Sequence, residues 1–112
     1  MTLPSRLPSK SAKADAGKRS PAHRAWVRGF HCCVPGCDER PIECAHVRRA
    51  SNSGIGFKPS DAFTVALCRD HHAESHRGER SFERKYGLDL MKLAEEFFRA
   101  SPHRHKLENP YV

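Results

Sequence analysis

The chain has 112 residues, 38% of them apolar and 29% charged, and a formal net charge of +7. That length suits one small domain with a modest core, a size class in which a metal or disulfides commonly reinforce folding. No stretch approaches the roughly 18 apolar residues of a membrane span, and the N-terminus lacks the apolar core of a signal peptide, so a soluble, cytoplasmic protein with no membrane partner is expected.

The charge is uneven. Residues 1–30 carry seven Lys/Arg against the single acid Asp15, while the remainder is close to neutral. Basic arms attract polyanions such as nucleic acid. Residues 1–20 are rich in Ser, Pro, Lys and Ala without apolar periodicity and read as a disordered arm. The domain proper is expected over residues 21–100.

Its first element, around His23 to Gly29, is a short helix or lead-in strand that lays Trp26 on the core. From His31 to Cys37 the sequence His-Cys-Cys-Val-Pro-Gly-Cys contains the Pro-Gly turn of a metal knuckle. Ile42 to Val47 reads as a strand with Ile42, Cys44 and His46 on one face and Glu43, Ala45 and Val47 on the other. A polar, glycine-rich loop covers 48–60, and a second strand is expected from Phe63 to Leu67. A histidine-bearing helix follows directly, which gives a ββα order. Ser81 to Tyr86 reads as a short helix stopped at Gly87. Asp89 can cap a further helix to about Ala100, with Leu90, Leu93, Ala94, Phe97 and Phe98 as its apolar stripe. Residues 101–112 read as a loose tail. The fold class is therefore α+β.

Five cysteines beside eight histidines, in a chain without secretion signals, point to metal binding before disulfides. Cys33-x3-Cys37 and Cys68-x2-His71 are two short-spaced pairs of the kind that supply the four tetrahedral ligands of a structural zinc. Cys32 adjoins Cys33 and can take its place; buried free thiols are the bland alternative. His72 and His76 lie four apart and share a helical face, while His71 is turned from His72 by about 100° and can serve a different ion. A solvated histidine pair is the competing reading, since Arg69, Asp70, Glu74, Ser75 and Arg77 are all hydrophilic. His46, at the end of the first strand, is expected to be held over the helix by the hairpin.

The order of a cysteine pair, then Ala45-His46-Val47-Arg48, then Lys58-Pro59-Ser60-Asp61, then Leu67-Cys68-x-x-His71-His72-x3-His76, resembles the HNH (ββα-metal, His-Me finger) endonucleases. Among these it is most similar to small phage and prophage proteins related to the recombination-promoting nuclease Ref. The resemblance spans about residues 23–100, including Gly78-Glu79-Arg80-Ser81-Phe82 and Gly87-Leu88-Asp89. It implies a small zinc-stabilised ββα-metal domain with additional C-terminal helices, acting on DNA as a metal-dependent phosphodiesterase. By match, His46 is the general base. His72 and His76 hold one catalytic divalent cation (Mg, Mn, Ni or Zn) that acts as a Lewis acid, and the structural zinc is separate.

Two departures stand out. Ala45 occupies the position where many members carry a third metal ligand, and the middle Asn of the HNH name falls near Phe63. Asp61 is the nearest polar residue able to orient His46. Arg48, Arg49 and Lys58 are candidate phosphate contacts. Two other readings compete with cleavage by the chain alone: a non-catalytic zinc-binding nucleic-acid module, and a nuclease active only on a recombinase filament.

Overall fold

The hairpin that organises this chain follows from two short runs of strand-forming residues. The structure, a computed structural model, describes residues 17–50 and 59–111. Strand β1 (Ile42–His46) pairs antiparallel with β2 (Thr64–Cys68), in a register that sets Ile42 opposite Cys68, Ala45 opposite Val65 and His46 opposite Thr64. Two strands alone are marginal in water, and here both faces are covered. β2 is buried at all five positions.

Helix α1 (Pro21–Val27) begins at Ser20, whose side chain accepts a hydrogen bond from the His23 amide, with Pro21 at the first helical position. Helix α2 (Arg69–His76) continues directly from β2. Helix α3 (Glu79–Tyr86) ends at Gly87, which takes the left-handed conformation (φ 66°) that favours glycine at a helix C-terminus. Helix α4 (Leu90–Ala100) is capped by Asp89, whose carboxylate accepts from the Lys92 amide, and buries Leu90, Ala94 and Phe98 along one stripe. Short 3-10 turns occupy Arg48–Ala50 and Arg104–Lys106. Among the described residues, no helix is long and apolar enough to cross a membrane.

Period-two alternation divides the sheet between two environments. Ala45, Val47, Val65 and Leu67 enter the main core with Phe82 from α3 and Leu90 and Ala94 from α4. Cys44, His46 and Thr64 occupy the opposite face, where the Thr64 hydroxyl lies 3.4 Å from Nε2 of the fully buried His23 on α1. The Cys33 amide donates to the Ala66 carbonyl at 2.9 Å, so the segment after α1 runs beside the outer edge of β2.

Both predicted termini of the domain shift outward. Residues 17–20 are built into the fold, since the Asp61 amide donates to Lys18 O and the Ser20 amide to the Asp61 carboxylate, each at 2.8 Å. Residues 1–16 of the expected arm lie outside the described residues. The tail is not loose over 101–111. Leu107 is buried with Ala62 and Phe98. The Tyr111 ring meets Phe63 and Phe98, and its hydroxyl donates to Ala62 O at 2.7 Å. These contacts join residues far apart in sequence, which local polarity does not reveal.

Candidate metal centre

Val34 to Cys37 forms a tight turn in which the Cys37 amide donates to Val34 O at 3.0 Å. Gly36 has φ 79°, the pattern of a type II turn with Pro35 before it. The turn brings Cys32 and Cys37 beside the start of α2, and Cys32, Cys37, Cys68 and His71 each offer a ligand atom within 4.8 Å of all the others. His71 Nδ1 lies 3.2 Å from Cys68 Sγ and 3.5 Å from Cys32 Sγ, and the Cys37 and Cys68 sulfurs are 3.9 Å apart. With zinc bond lengths of about 2.3 Å to sulfur and 2.0 Å to nitrogen, a tetrahedron has edges of about 3.8 Å between sulfurs and about 3.5 Å between sulfur and nitrogen. The four atoms therefore fit one zinc-type ion. Burial pushes the Cys32 thiol up to about 11, so a thiolate there needs a cation to stabilise it. The site is also braced. Cys68 Sγ caps α2 by accepting from the His71 amide, and the rings of Tyr86 and Phe82 meet the His71 imidazole edge-on at 5.1 and 6.3 Å between centroids. Glu74 accepts from the Tyr86 hydroxyl at 2.6 Å and so fastens that wall to α2.

The spacing favours Cys33 as the first ligand, but it is Cys32 that joins Cys37, Cys68 and His71. The amide of Cys33 is committed to Ala66 of β2, and its sulfur is not among the four clustered ligand atoms. Cys33 is partly buried against the main core.

A second cluster lies one residue along the same helix. His72 and His76 present their Nε2 atoms to each other at 3.1 Å, while Nδ1 of His72 lies 2.7 Å from a Glu43 carboxylate oxygen. Two imidazole nitrogens bound tetrahedrally to one ion at about 2.0–2.1 Å are about 3.3 Å apart, so this pair suits a shared cation. A carboxylate on the far nitrogen of a ligating histidine fixes its tautomer and orientation, and Glu43 is so positioned because it shares the strand face of Ala45, towards α2. That alternation was readable in the sequence; the partnership needed the hairpin and helix together. His76 is exposed, and burial, His72 and Arg48 all lower its pKa.

His46 is not held over this pair. It projects from the opposite strand face to Glu43, and its Nε2 bonds Asp61 Oδ1 at 2.8 Å. Asp61 is fully buried and is the hub of that face. Besides His46 it accepts from the Ser20 amide and lies 3.2 Å from Arg24 Nε and 3.6 Å from Arg19 Nη1. Burial alone would raise the Asp61 carboxyl, but the His46 bond, the Ser20 amide and Arg24 together hold it below the ordinary carboxylate value. Burial likewise lowers the pKa of His23, whose Nδ1 meets the Ser101 hydroxyl at 2.8 Å.

The three candidate phosphate contacts separate. Arg49 is spent on α3, with Nη2 on Glu83 at 2.6 Å. The Arg48 amide donates to Glu79, but its exposed guanidinium has no partner among the described residues and lies close enough to act on His76. Lys58 lies outside the described residues.

Compared with known proteins, residues 12–102 match DUF968, described as a protein family of unknown function. The chain belongs to the DUF968 family. It is also 35% identical over 65 residues to the uncharacterized protein YdfU of Escherichia coli strain K12, a match that covers 58% of this chain and 18% of YdfU. The chain thus spans less than a fifth of that relative's length. No solved structure matches it.

Proposed function

We propose that this DUF968 domain is a zinc-stabilised, HNH-type endonuclease that hydrolyses DNA phosphodiester bonds with a divalent cation held by His72 and His76. The observation that carries the reading is the 3.1 Å approach of their Nε2 atoms, with His72 oriented by Glu43, beside a complete and separate Cys3His cluster. When bound, the cation would polarise a phosphate oxygen and stabilise the leaving oxygen. Glu43, as acceptor for Nδ1–H of His72, leaves the Nε2 lone pair free for the metal. The guanidinium of Arg48, without a partner among the described residues, is a phosphate contact.

Asp61 accepts from Nε2–H of His46, so the Nδ1 lone pair is free to take a proton from an attacking water. Because His46 and Glu43 leave opposite strand faces, a scissile phosphate meeting both His46 and the cation must lie across the end of β1, where Arg48 follows.

The test is nicking of a supercoiled plasmid with Mg, Mn, Ni or Zn, with and without a recombinase filament on the DNA. Wild type should nick, and His46→Ala should nick about 10²–10⁴-fold more slowly, as loss of a general base implies. His72→Ala/His76→Ala should be inactive while keeping the Cys3His metal. Activity in that double variant equal to wild type would overturn the reading.

A second reading, a non-catalytic zinc-binding nucleic-acid module, is favoured by one observation: the His46 ring is engaged in the buried ionic hub of Asp61. It predicts salt-dependent DNA binding, one metal per chain and no cleavage under any of these conditions.

A further inference from the structure

At the end of the hairpin where β1 begins, a cleft of about 260 Å³ opens between the C-terminus of α1 and the residues entering β1. Its walls include Arg28, Phe30, His31, Glu39 and Arg40. None of these residues ligates the Cys3His cluster or takes part in the His72/His76 pair.

Three features of the cleft are unusual together. Phe30 is 43% exposed, an exposed large hydrophobic side chain, while the other phenylalanine, tyrosine and tryptophan side chains among the described residues are largely covered. Its ring is nonetheless held firmly, edge-on to Trp26 at 4.8 Å and to Phe97 at 5.3 Å. A rigid, half-open aromatic ring is a ready stacking surface. Arg28 and Arg40 are both exposed and, among the described residues, neither guanidinium has a hydrogen-bond or ion-pair partner, so two free cations face a single acid, Glu39.

We infer that this cleft binds an unpaired nucleotide of a single-stranded nucleic acid, with its base stacked on Phe30 and its flanking phosphates on Arg28 and Arg40. Aromatic platforms flanked by arginines are how sequence-tolerant single-strand contacts are built, because every base has a π-face and every nucleotide a phosphate. A duplex keeps its bases stacked inside and offers Phe30 no free face. The cleft has room for one base and shares no lining residue with the metal pair, so it would hold a strand without using the groups that meet the reacting phosphate.

This inference stands or falls separately from cleavage, because binding is measured with one equivalent of zinc, which fills the Cys3His cluster, and with no further divalent metal. The full chain, loaded with zinc, is titrated with short labelled oligonucleotides: single-stranded DNA, single-stranded RNA and duplex DNA. Trp26, the one tryptophan of the chain, gives a second readout through its contact with Phe30. Wild type should show quenching of Trp26 with either single strand. Phe30→Leu keeps an apolar side chain against Trp26 and Phe97 but removes the stack, and should weaken single-strand binding about tenfold while duplex binding changes less than about twofold. Phe30→Tyr should restore it. Arg28→Ala/Arg40→Ala should lower the slope of log K against log salt by about 1.4 on single strands, two phosphates at about 0.7 each. Retained single-strand affinity in Phe30→Leu, an equal loss on duplex, or an unchanged salt slope in the arginine pair would overturn the assignment.

Discussion

His71 and His72 are neighbours on one helix, yet they belong to clusters built on opposite plans. The cluster of His71 is closed: three sulfurs and a nitrogen from two segments far apart in sequence, two of the cysteines buried, with an aromatic wall behind the imidazole. That of His72 is open, with two imidazoles on an exposed helix face and one carboxylate behind them. Closed sets of four ligands serve folding, whereas sites with open positions serve chemistry. The 100° turn per residue of an α-helix is what lets adjacent side chains face two different clusters.

The largest test of the contrast is to break each site separately. Cys68→Ser should abolish the folded state, with loss of the CD signal and of bound zinc. Structural zinc contributes about 10–16 kcal/mol in zinc-finger peptides, as much as the whole stability of an ordinary domain. His72→Ala/His76→Ala should leave the fold and its zinc intact.

Next in size is the hub behind His46. Asp61→Ala removes the acceptor of the Ser20 amide and of His46 and leaves the partly exposed Arg24 without its counter-charge, and urea denaturation should show a loss of about 1–3 kcal/mol. Glu43→Gln should weaken cation binding at His72 and His76 about 10–100-fold without changing the urea midpoint, because it touches only the open site.

The pH response sharpens the contrast further. The pKa of His23 is lowered in the folded chain, mainly by burial, with His103 lowering it and Asp61 opposing. The unfolded chain therefore takes up this proton first. Its contribution to stability is complete above the ordinary histidine value of 6.5 and is lost as pH falls below it. Urea midpoints from pH 7.5 to 5 should fall less in His23→Gln than in wild type. Asp61, with its pKa lowered, adds a second loss only below the ordinary value of 3.8. Cys33→Ala should have the smallest effect, about 1 kcal/mol with zinc retained, whereas Cys32→Ala should release it.

Much of this was legible in the sequence where the determinants are local. Two strands, the Asp89 cap, the Gly87 stop and the α4 stripe all depend on residues within a few positions of one another. So does the division between His71 and His72, which needs only helical geometry. The choice of Cys32 over Cys33 was not legible, because it turns on a hydrogen bond from Cys33 to Ala66 across the fold. The position of His46 was readable from alternation, since it shares a face with Cys44 and not with Glu43. The expectation that the hairpin holds it over the helix pointed the other way. The anchoring of residues 101–111 rests on Tyr111 meeting Phe63 and Ala62, a long-range contact with no local signature.

The most direct measurement is metal stoichiometry by elemental analysis after equilibration with zinc or manganese and exhaustive dialysis. Wild type should hold two ions per chain. His72→Ala/His76→Ala should hold one, and Cys32→Ala should fail to retain the ion of the closed cluster. One ion in both wild type and the double histidine variant would contradict the assignment of His71 and His72 to different metals.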